Sequence, residues 1–198
     1  MALVYKTCAI DDNLPEYICD PCAEGELGGV RGTAFIHKSL KEEITKTNLE
    51  LISWWEQHVN AGLIIVIPTT RGTFDGGTPN TVPGFGDVAE KITSKTFTLV
   101  FNDLNHKENQ PFYQFLENNF KDYIPAFRTG SELRVGTDVL ASCAVADNIE
   151  EDINSNVLWT GTTTWKQKSP NTLVPVYNLT DKVKNLFSNC IDKDTPTP

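Results

Sequence analysis

A change of hydrophobic period between residues 95 and 120 constrains the fold of this chain more than any other feature. From Lys95 to Phe101, apolar residues alternate with Thr and other side chains, which predicts a half-buried strand. From Pro111 to Phe120 the apolar residues recur at helical spacing, and Pro111 suits a first helical turn because its missing N–H is no loss there. The predicted apolar stripe of this helix consists of Phe112, Phe115, Leu116 and Phe120.

Strand patterns return after this helix and continue for most of the remaining chain. The strands are predicted at 123–129, 132–135, 138–146 and 157–165, with a turn at Gly130 and an acidic loop over 147–156. An order of strand, one short helix and several strands is typical of a mainly antiparallel β-sandwich or partial barrel. The four tryptophans, Trp54, Trp55, Trp159 and Trp165, are expected in the core.

The first half of the chain predicts one further helix and two further strands. The strands cover 32–37 and 63–68, and the helix falls within 41–55 and continues towards Val59. The stretch from Thr69 to Gly86 is rich in Gly and Pro and is expected to be a long loop, which in an assembly would act as a clamping arm. A short helix is predicted at 181–187, with Thr180 as its cap.

These patterns divide the chain into three parts. Residues 1–30 form an irregular N-terminal arm, residues 31–180 form the β-sandwich domain with the long loop 69–86, and residues 181–198 form a short helix and a C-terminal tail. The predicted fold class is therefore mainly β, with one or two short helices and long loop arms.

Charge and composition exclude several classes of protein for this chain of 198 residues. The net charge of −9 argues against a general nucleic-acid-binding face, since such faces need clustered Lys and Arg. No apolar run is long enough to cross a membrane, and the first residues do not resemble a secretory signal peptide. Five cysteines are an odd and sparse set, so a disulfide scaffold is not indicated.

The strongest candidate for metal chemistry is a group of cysteines near the N-terminus. Cys8, Cys19 and Cys22 could supply three thiolates to zinc, with Cys143 or His37 as a fourth ligand. The alternative, which we favour, is free thiols or a local disulfide in a loop, because a second C-x-x-C is lacking. The histidines show no catalytic spacing, and the acidic loop lacks calcium-binding spacing. The sequence therefore predicts neither a catalytic residue nor a cofactor, and we expect a protein that is not an enzyme.

The element order resembles that of structural proteins of tailed bacteriophages. The resemblance covers roughly residues 90–180 and rests on Phe97–Phe101, Asn109–Leu116, Tyr123–Arg128 and the Thr-rich strand that ends at Trp165. It is greatest to the tail-tube fold, in which a β-sandwich carries one helix and hexameric rings join around a channel. The stretches 19–35 and 157–165 are also similar to virion proteins of phages of Bacteroidetes hosts, including crAss-like phages.

This resemblance implies a structural subunit of the tail or neck that forms a ring or tube through β-edge and loop-arm contacts. Its partners would be copies of itself, in a hexamer or larger ring, and other virion proteins. DNA would at most pass through the lumen, and no membrane is involved. The protein would be found in the virion, after assembly in the host cytoplasm. The alternatives are a capsid auxiliary or decoration protein, or a small binding module built on a zinc knuckle.

Overall fold

The computed structural model describes residues 29–84, 89–103, 109–148, 158–168 and 172–188. One antiparallel sheet of nine strands dominates them, with the order β7-β8-β4-β2-β1-β5-β6-β9 and with β3 paired to β4. The strands are β1 (Val30–His37), β2 (Ile64–Phe74), β3 (Thr78–Val82), β4 (Lys91–Asp103), β5 (Tyr123–Arg128), β6 (Glu132–Val135), β7 (Leu140–Asn148), β8 (Leu158–Lys168) and β9 (Val176–Asn178). The α-helices are α1 (Lys46–Glu50), α2 (Ile52–Asn60), α3 (Gln110–Asn119) and α4 (Asp181–Leu186), and 3-10 helices cover Lys38–Glu43 and Phe120–Asp122.

Alternating aromatic residues of the central strands form the first hydrophobic core. Phe97 of β4 lies opposite Trp165 of β8, and their rings are 5.4 Å apart and nearly parallel. Strand β7 comes close to the 3-10 helix Phe120–Asp122 and to β5, so the sheet curls back towards itself. Tyr113 and Leu116 of α3 are buried in this core, and α3 therefore covers one side of a partial barrel.

The opposite face of β1, β2, β5 and β6 carries a second core beneath α1, α2 and α4. Ala34 and Ile36 of β1 point to this side, whereas Phe35 between them belongs to the first core, as the period of two requires. Trp55 of α2 is fully buried there, with its ring 5.3 Å from that of Phe187 at the end of α4. Helix α4 therefore packs onto the sheet, and the Thr180 hydroxyl caps it as predicted.

The structure confirms a mainly β fold, and most of the predicted strands lie within a few residues of their expected bounds. The four tryptophans are buried, as expected. There are more helices than the one or two predicted, because the stretch 41–60 is interrupted at Leu51 and forms α1 and α2. The predicted stripe of α3 was wrong in one position: Phe115 is 47% exposed, and Tyr113 is buried instead.

The expectation of a long loop from Thr69 to Gly86 was wrong for most of that stretch. Strand β2 continues to Phe74, and β3 occupies Thr78–Val82 after a break of three residues. Both strands pair with β4, so 64–82 and 91–103 form a long interrupted hairpin. Of the Gly and Pro residues that suggested a loop, Gly72 lies within β2, Gly76 and Gly77 lie at the interruption and Pro79 lies in β3, whereas Gly86 lies outside the described residues.

Candidate interaction surface

The sheet has three border strands among the described residues, and they differ in whether the backbone N–H and C=O groups of their outer side have hydrogen-bond partners. Along β7, the carboxylate of Glu117 from α3 accepts the backbone N–H of Val145 at 2.6 Å, so this border is partly closed. Strand β9 is only three residues long. Strand β3 pairs with β4 on one side, and no described strand pairs with its other side. Among the strands that the structure describes, β3 therefore has the open border.

Hydrogen bonds to the Asp75 side chain hold the turn between β2 and β3 in place. The Oδ1 atom of Asp75 accepts the backbone N–H groups of Gly77 at 3.0 Å and of Thr98 at 2.9 Å, which ties the turn to β4. Gly76 and Gly77 both have positive φ, a conformation that favours glycine. A Cβ atom at Gly77 would also collide with the ring of Phe97. The turn is consequently held in one geometry, and β3 is aimed along β4 beyond the core.

We call the surface formed by Thr78–Val82, Lys91–Thr96 and Lys166–Lys168 the arm. Within it, the Asn80 amide donates to the Ser94 and Thr96 hydroxyls at 3.2 and 3.0 Å, which links the two strands by side chains. Towards the tip, Val82 and Ile92 are 44% and 41% exposed, and both belong to the group of large apolar residues left open to solvent. The arm therefore has a polar, internally bonded base and an apolar tip.

Four lysines give the arm a basic character that the chain as a whole lacks. They are Lys91, Lys95, Lys166 and Lys168. Lys166 lies opposite Thr96 and Lys168 opposite Ser94 in the β4–β8 ladder, and Lys95 lies opposite Gln167. None of the four forms an ion pair with any residue in the described ranges. As far as the described residues go, the arm is thus a group of lysines without ion-pair partners on an acidic protein.

The residues predicted as possible zinc ligands are not brought together in the described structure. Cys8, Cys19 and Cys22 lie outside the described residues. Burial and the neighbouring Glu117 raise the pKa of the Cys143 thiol to about 12, which disfavours the thiolate that metal binding needs. The ring of His37 hydrogen-bonds Ser39 at 2.8 Å and caps a 3-10 helix. Within the described ranges, no group of three or more His, Cys, Asp or Glu is placed to hold a metal ion.

Two clusters of polar side chains, each with a buried member, connect helices of the described structure to the elements beside them. The Tyr113 hydroxyl donates to Asp103 at 2.7 Å, and the Asn109 amide donates to the same carboxylate oxygen at 2.7 Å. Burial, with the neighbouring Asp103 carboxylate, raises the pKa of Tyr113 well above its usual range. On the other face, Glu43 accepts from the Trp54 indole at 3.2 Å and lies 3.3 Å from the ring of buried His58. The first cluster joins β4 to α3, and the second joins the first 3-10 helix to α2.

An open groove of about 230 Å³ lies between the first 3-10 helix and the β6–β9 edge. Lys41 and Glu42 line one wall, and Val135 and Tyr177 are among the residues of the other. The Lys41 ammonium lies 3.5 Å from Asp138, so part of its charge is compensated within the chain. The groove is small, and its charged lining residues Lys41 and Glu42 are exposed to solvent, so it offers less to a partner than the arm does.

Comparison with protein-family models, with curated proteins and with solved structures gave no match for this chain. Within the described part of the chain, no helix has the length and apolar character needed to cross a membrane. The sequence pattern predicted a loop for the segment that contains β3 and a strand from Lys95 onwards, and it did not indicate a group of lysines. The signal for them in the sequence is that Lys95, Lys166 and Lys168 lie near the ends of two strands that pair with each other, while Lys91 begins β4.

Proposed function

We propose that this protein is a structural subunit of a tailed-phage virion, which assembles with copies of itself into a ring or tube in the tail or neck. The observation that carries the proposal is the arm, whose outer strand β3 leaves one border of the sheet open and whose tip exposes Val82 and Ile92. The resemblance of residues 90–180 to tail-tube proteins supports the phage context.

An open strand border and an exposed apolar tip favour contact with another protein chain. Unpaired backbone groups of a border strand are satisfied when a second chain pairs with them, and natural monomers usually protect such borders. In this sheet, Glu117 protects β7, whereas among the described residues of β3 itself Pro79 alone limits pairing, and only at the base of the strand. A patch that binds a different patch on the next copy makes a head-to-tail contact, and such contacts close into rings when the rotation permits.

Pro79 limits the form that this contact can take. Proline has no N–H to donate and is tolerated in sheets chiefly on border strands, with its nitrogen facing away from the ladder. Pro79 lies opposite Lys95 near the base of β3, so the border beside the core has lost one donor. Thr81 and Val82 follow it towards the tip. We therefore place the contact with a neighbouring copy at the outer half of the arm.

The proposal is tested by replacing the two apolar residues of the tip. The double variant Val82→Ser/Ile92→Ser removes apolar surface without touching either core, and Leu51→Ser/Leu173→Ser removes comparable exposed surface elsewhere. In sedimentation velocity over a concentration series, we expect the wild type and the control to form rings, and the tip variant to need at least ten times more protein. Equal assembly of both variants would contradict a role for the arm.

The place in the virion is tested separately. Quantitative mass spectrometry of purified particles of the encoding phage should detect the chain in a constant number of copies per particle. Negative-stain images of the purified chain should show rings of one diameter. Particles that lack the chain would overturn the virion assignment, while leaving self-assembly as a separate question.

A further inference from the structure

We propose that the arm binds the acidic N-terminal segment, residues 1–28, of a neighbouring copy of this chain. This inference rests on the proposed function, because it names the two surfaces that meet when copies assemble. The arm supplies the lysines, and the N-terminal segment supplies the carboxylates.

The distribution of charge along the chain is the first argument. Residues 1–28 contain one lysine, Lys6, and six acidic residues: Asp11, Asp12, Glu16, Asp20, Glu24 and Glu26. The arm contains four lysines and no acidic residue in Thr78–Val82, Lys91–Thr96 or Lys166–Lys168. Opposite charges on two separate surfaces of one chain favour contact between them and disfavour contact of either surface with its own kind.

The geometry of the arm is the second argument. Consecutive side chains along a strand point to opposite faces, so Lys95 and the pair Lys166 and Lys168 lie on different faces of the arm. A ligand that neutralises both groups must pass over the edge or wrap around it, which suits a chain segment better than a flat protein face. The open border of β3 offers backbone groups to such a segment beyond Pro79.

Reach is the third argument. The described structure begins at Gly29, and the next residue, Val30, pairs with Gly72 of β2. Gly72 in turn pairs with Phe101, near the end of β4 that is farther from the tip of the arm. A segment of 28 residues spans at most about 95 Å when extended, at roughly 3.4 Å per residue. This length is ample to leave one subunit and cover the arm of the next.

Phosphate groups of DNA are the alternative ligand for the same lysines. We favour carboxylates, because a chain with a net charge of −9 repels DNA at long range and carries its own acidic segment. The two ligands give different outcomes in a binding assay, and the experiment below therefore includes a DNA duplex.

A charge exchange between two full-length variants tests the inference. One variant carries Lys91→Glu, Lys166→Glu and Lys168→Glu, and the other carries Asp11→Lys, Asp12→Lys and Asp20→Lys. We expect each variant alone to assemble at least tenfold more weakly than the wild type in sedimentation velocity at low salt. An equimolar mixture should recover assembly, because each mixed contact joins opposite charges. Wild-type assembly should weaken as salt rises, since salt screens such contacts.

The control for the arm variant changes three exposed lysines of the helices, Lys46→Glu, Lys182→Glu and Lys184→Glu, with the same change in net charge. This control should assemble as the wild type does. If each variant alone fails to assemble and the mixture does not recover assembly, the proposed contact between the arm and the N-terminal segment of another copy is wrong. If the arm variant assembles fully, the arm is not the surface that binds the N-terminal segment. Binding of the wild type to a 30-base-pair duplex, lost in the arm variant, would assign the lysines to DNA instead. A wild type that stays monomeric would contradict this inference and the proposed self-assembly together, whereas a salt-insensitive wild-type ring would contradict this inference alone.

Discussion

Glu117 of α3 partly closes the β7 border of the sheet by accepting the backbone N–H of Val145 at 2.6 Å. The side chain reaches from a helix to a strand that follows it by more than 20 residues, and it satisfies a donor that would otherwise face a possible partner. Strand β7 between Leu140 and Ala146 carries neither a charged residue nor a proline, so it lacks the usual sequence protection of a border strand. Glu117 supplies that protection from outside the strand.

Replacement of Glu117 by alanine should therefore destabilise the protein and open the β7 border. The loss of an acceptor for a partly buried N–H costs about 1–3 kcal/mol, which should appear as a lower free energy of unfolding in urea. We also expect irregular aggregation by light scattering. Glu117→Gln keeps an oxygen acceptor and should recover most of the stability. Identical behaviour of the alanine and glutamine variants would show that the hydrogen bond contributes little.

The structure also predicts that stability falls in alkaline solution. Burial raises the pKa of Cys143 to about 12 and raises those of Tyr113, Tyr123 and Tyr177 above their usual range. Above about pH 8.5 for Cys and 10 for Tyr, the unfolded chain loses these protons while the native chain keeps them. The native state then binds more protons, so the free energy of unfolding must decrease as pH rises. Urea unfolding of the wild type and of Cys143→Ala between pH 8 and 11 measures this, and the variant should show a shallower decline. Parallel curves for the two proteins would contradict the assignment to Cys143.

Two adjacent glycines in the turn before β3 allow a matched comparison of alanine substitutions. Gly76 and Gly77 both have positive φ, so alanine at either position introduces similar backbone strain. Only at Gly77 would the added methyl group meet the ring of Phe97. Gly77→Ala should therefore lower the free energy of unfolding by about 1–3 kcal/mol more than Gly76→Ala does, because overpacking adds to the strain. Equal losses in the two variants would place the whole cost in the backbone and none in the contact with Phe97.

Helix α3 allows a direct test of which of its faces is buried. Leu116 is fully buried in the first core, whereas its neighbour Phe115 is 47% exposed and touches Tyr123 at its ring edge. Leu116→Ala should cost about 2–5 kcal/mol of stability. Phe115→Ala should cost less than about 1 kcal/mol, since exposed side chains contribute little. Thermal unfolding of the two variants ranks their stabilities. A larger loss of stability for Phe115→Ala would contradict the burial of the Leu116 face of the helix.

Much of the fold could be predicted because the inner faces of β4 and β8 follow a strict period of two. Phe97, Leu99 and Phe101 could form only one apolar face, and Trp159 and Trp165 share a parity. In α3 the prediction was less accurate, because Phe115 and Tyr113 are both large and aromatic. Spacing alone did not show that the Tyr113 hydroxyl would find the Asp103 carboxylate inside the core.

The outer strand β3 of the arm could not be predicted, because the glycines before it and its own proline are typical of loops. The turn from Asp75 to Gly77 interrupts a strand instead of ending it. This depends on the hydrogen bond that the Asp75 carboxylate accepts from the backbone N–H of Thr98, which is more than 20 residues away. Pro79 is tolerated because β3 is a border strand, which is a property of the assembled sheet. The lysines of β4 and β8 lie near one another only because these two strands pair, and the sequence pattern did not predict that pairing.

The mass of the wild-type chain in solution over a wide concentration range tests the central claim most directly. Sedimentation velocity at low salt, supported by negative-stain imaging, should show conversion from single chains to one closed ring as concentration rises. The same experiment on Val82→Ser/Ile92→Ser should show single chains over most of that range. A wild-type protein that sediments as a single chain at every concentration would contradict the view that the arm joins copies of this protein.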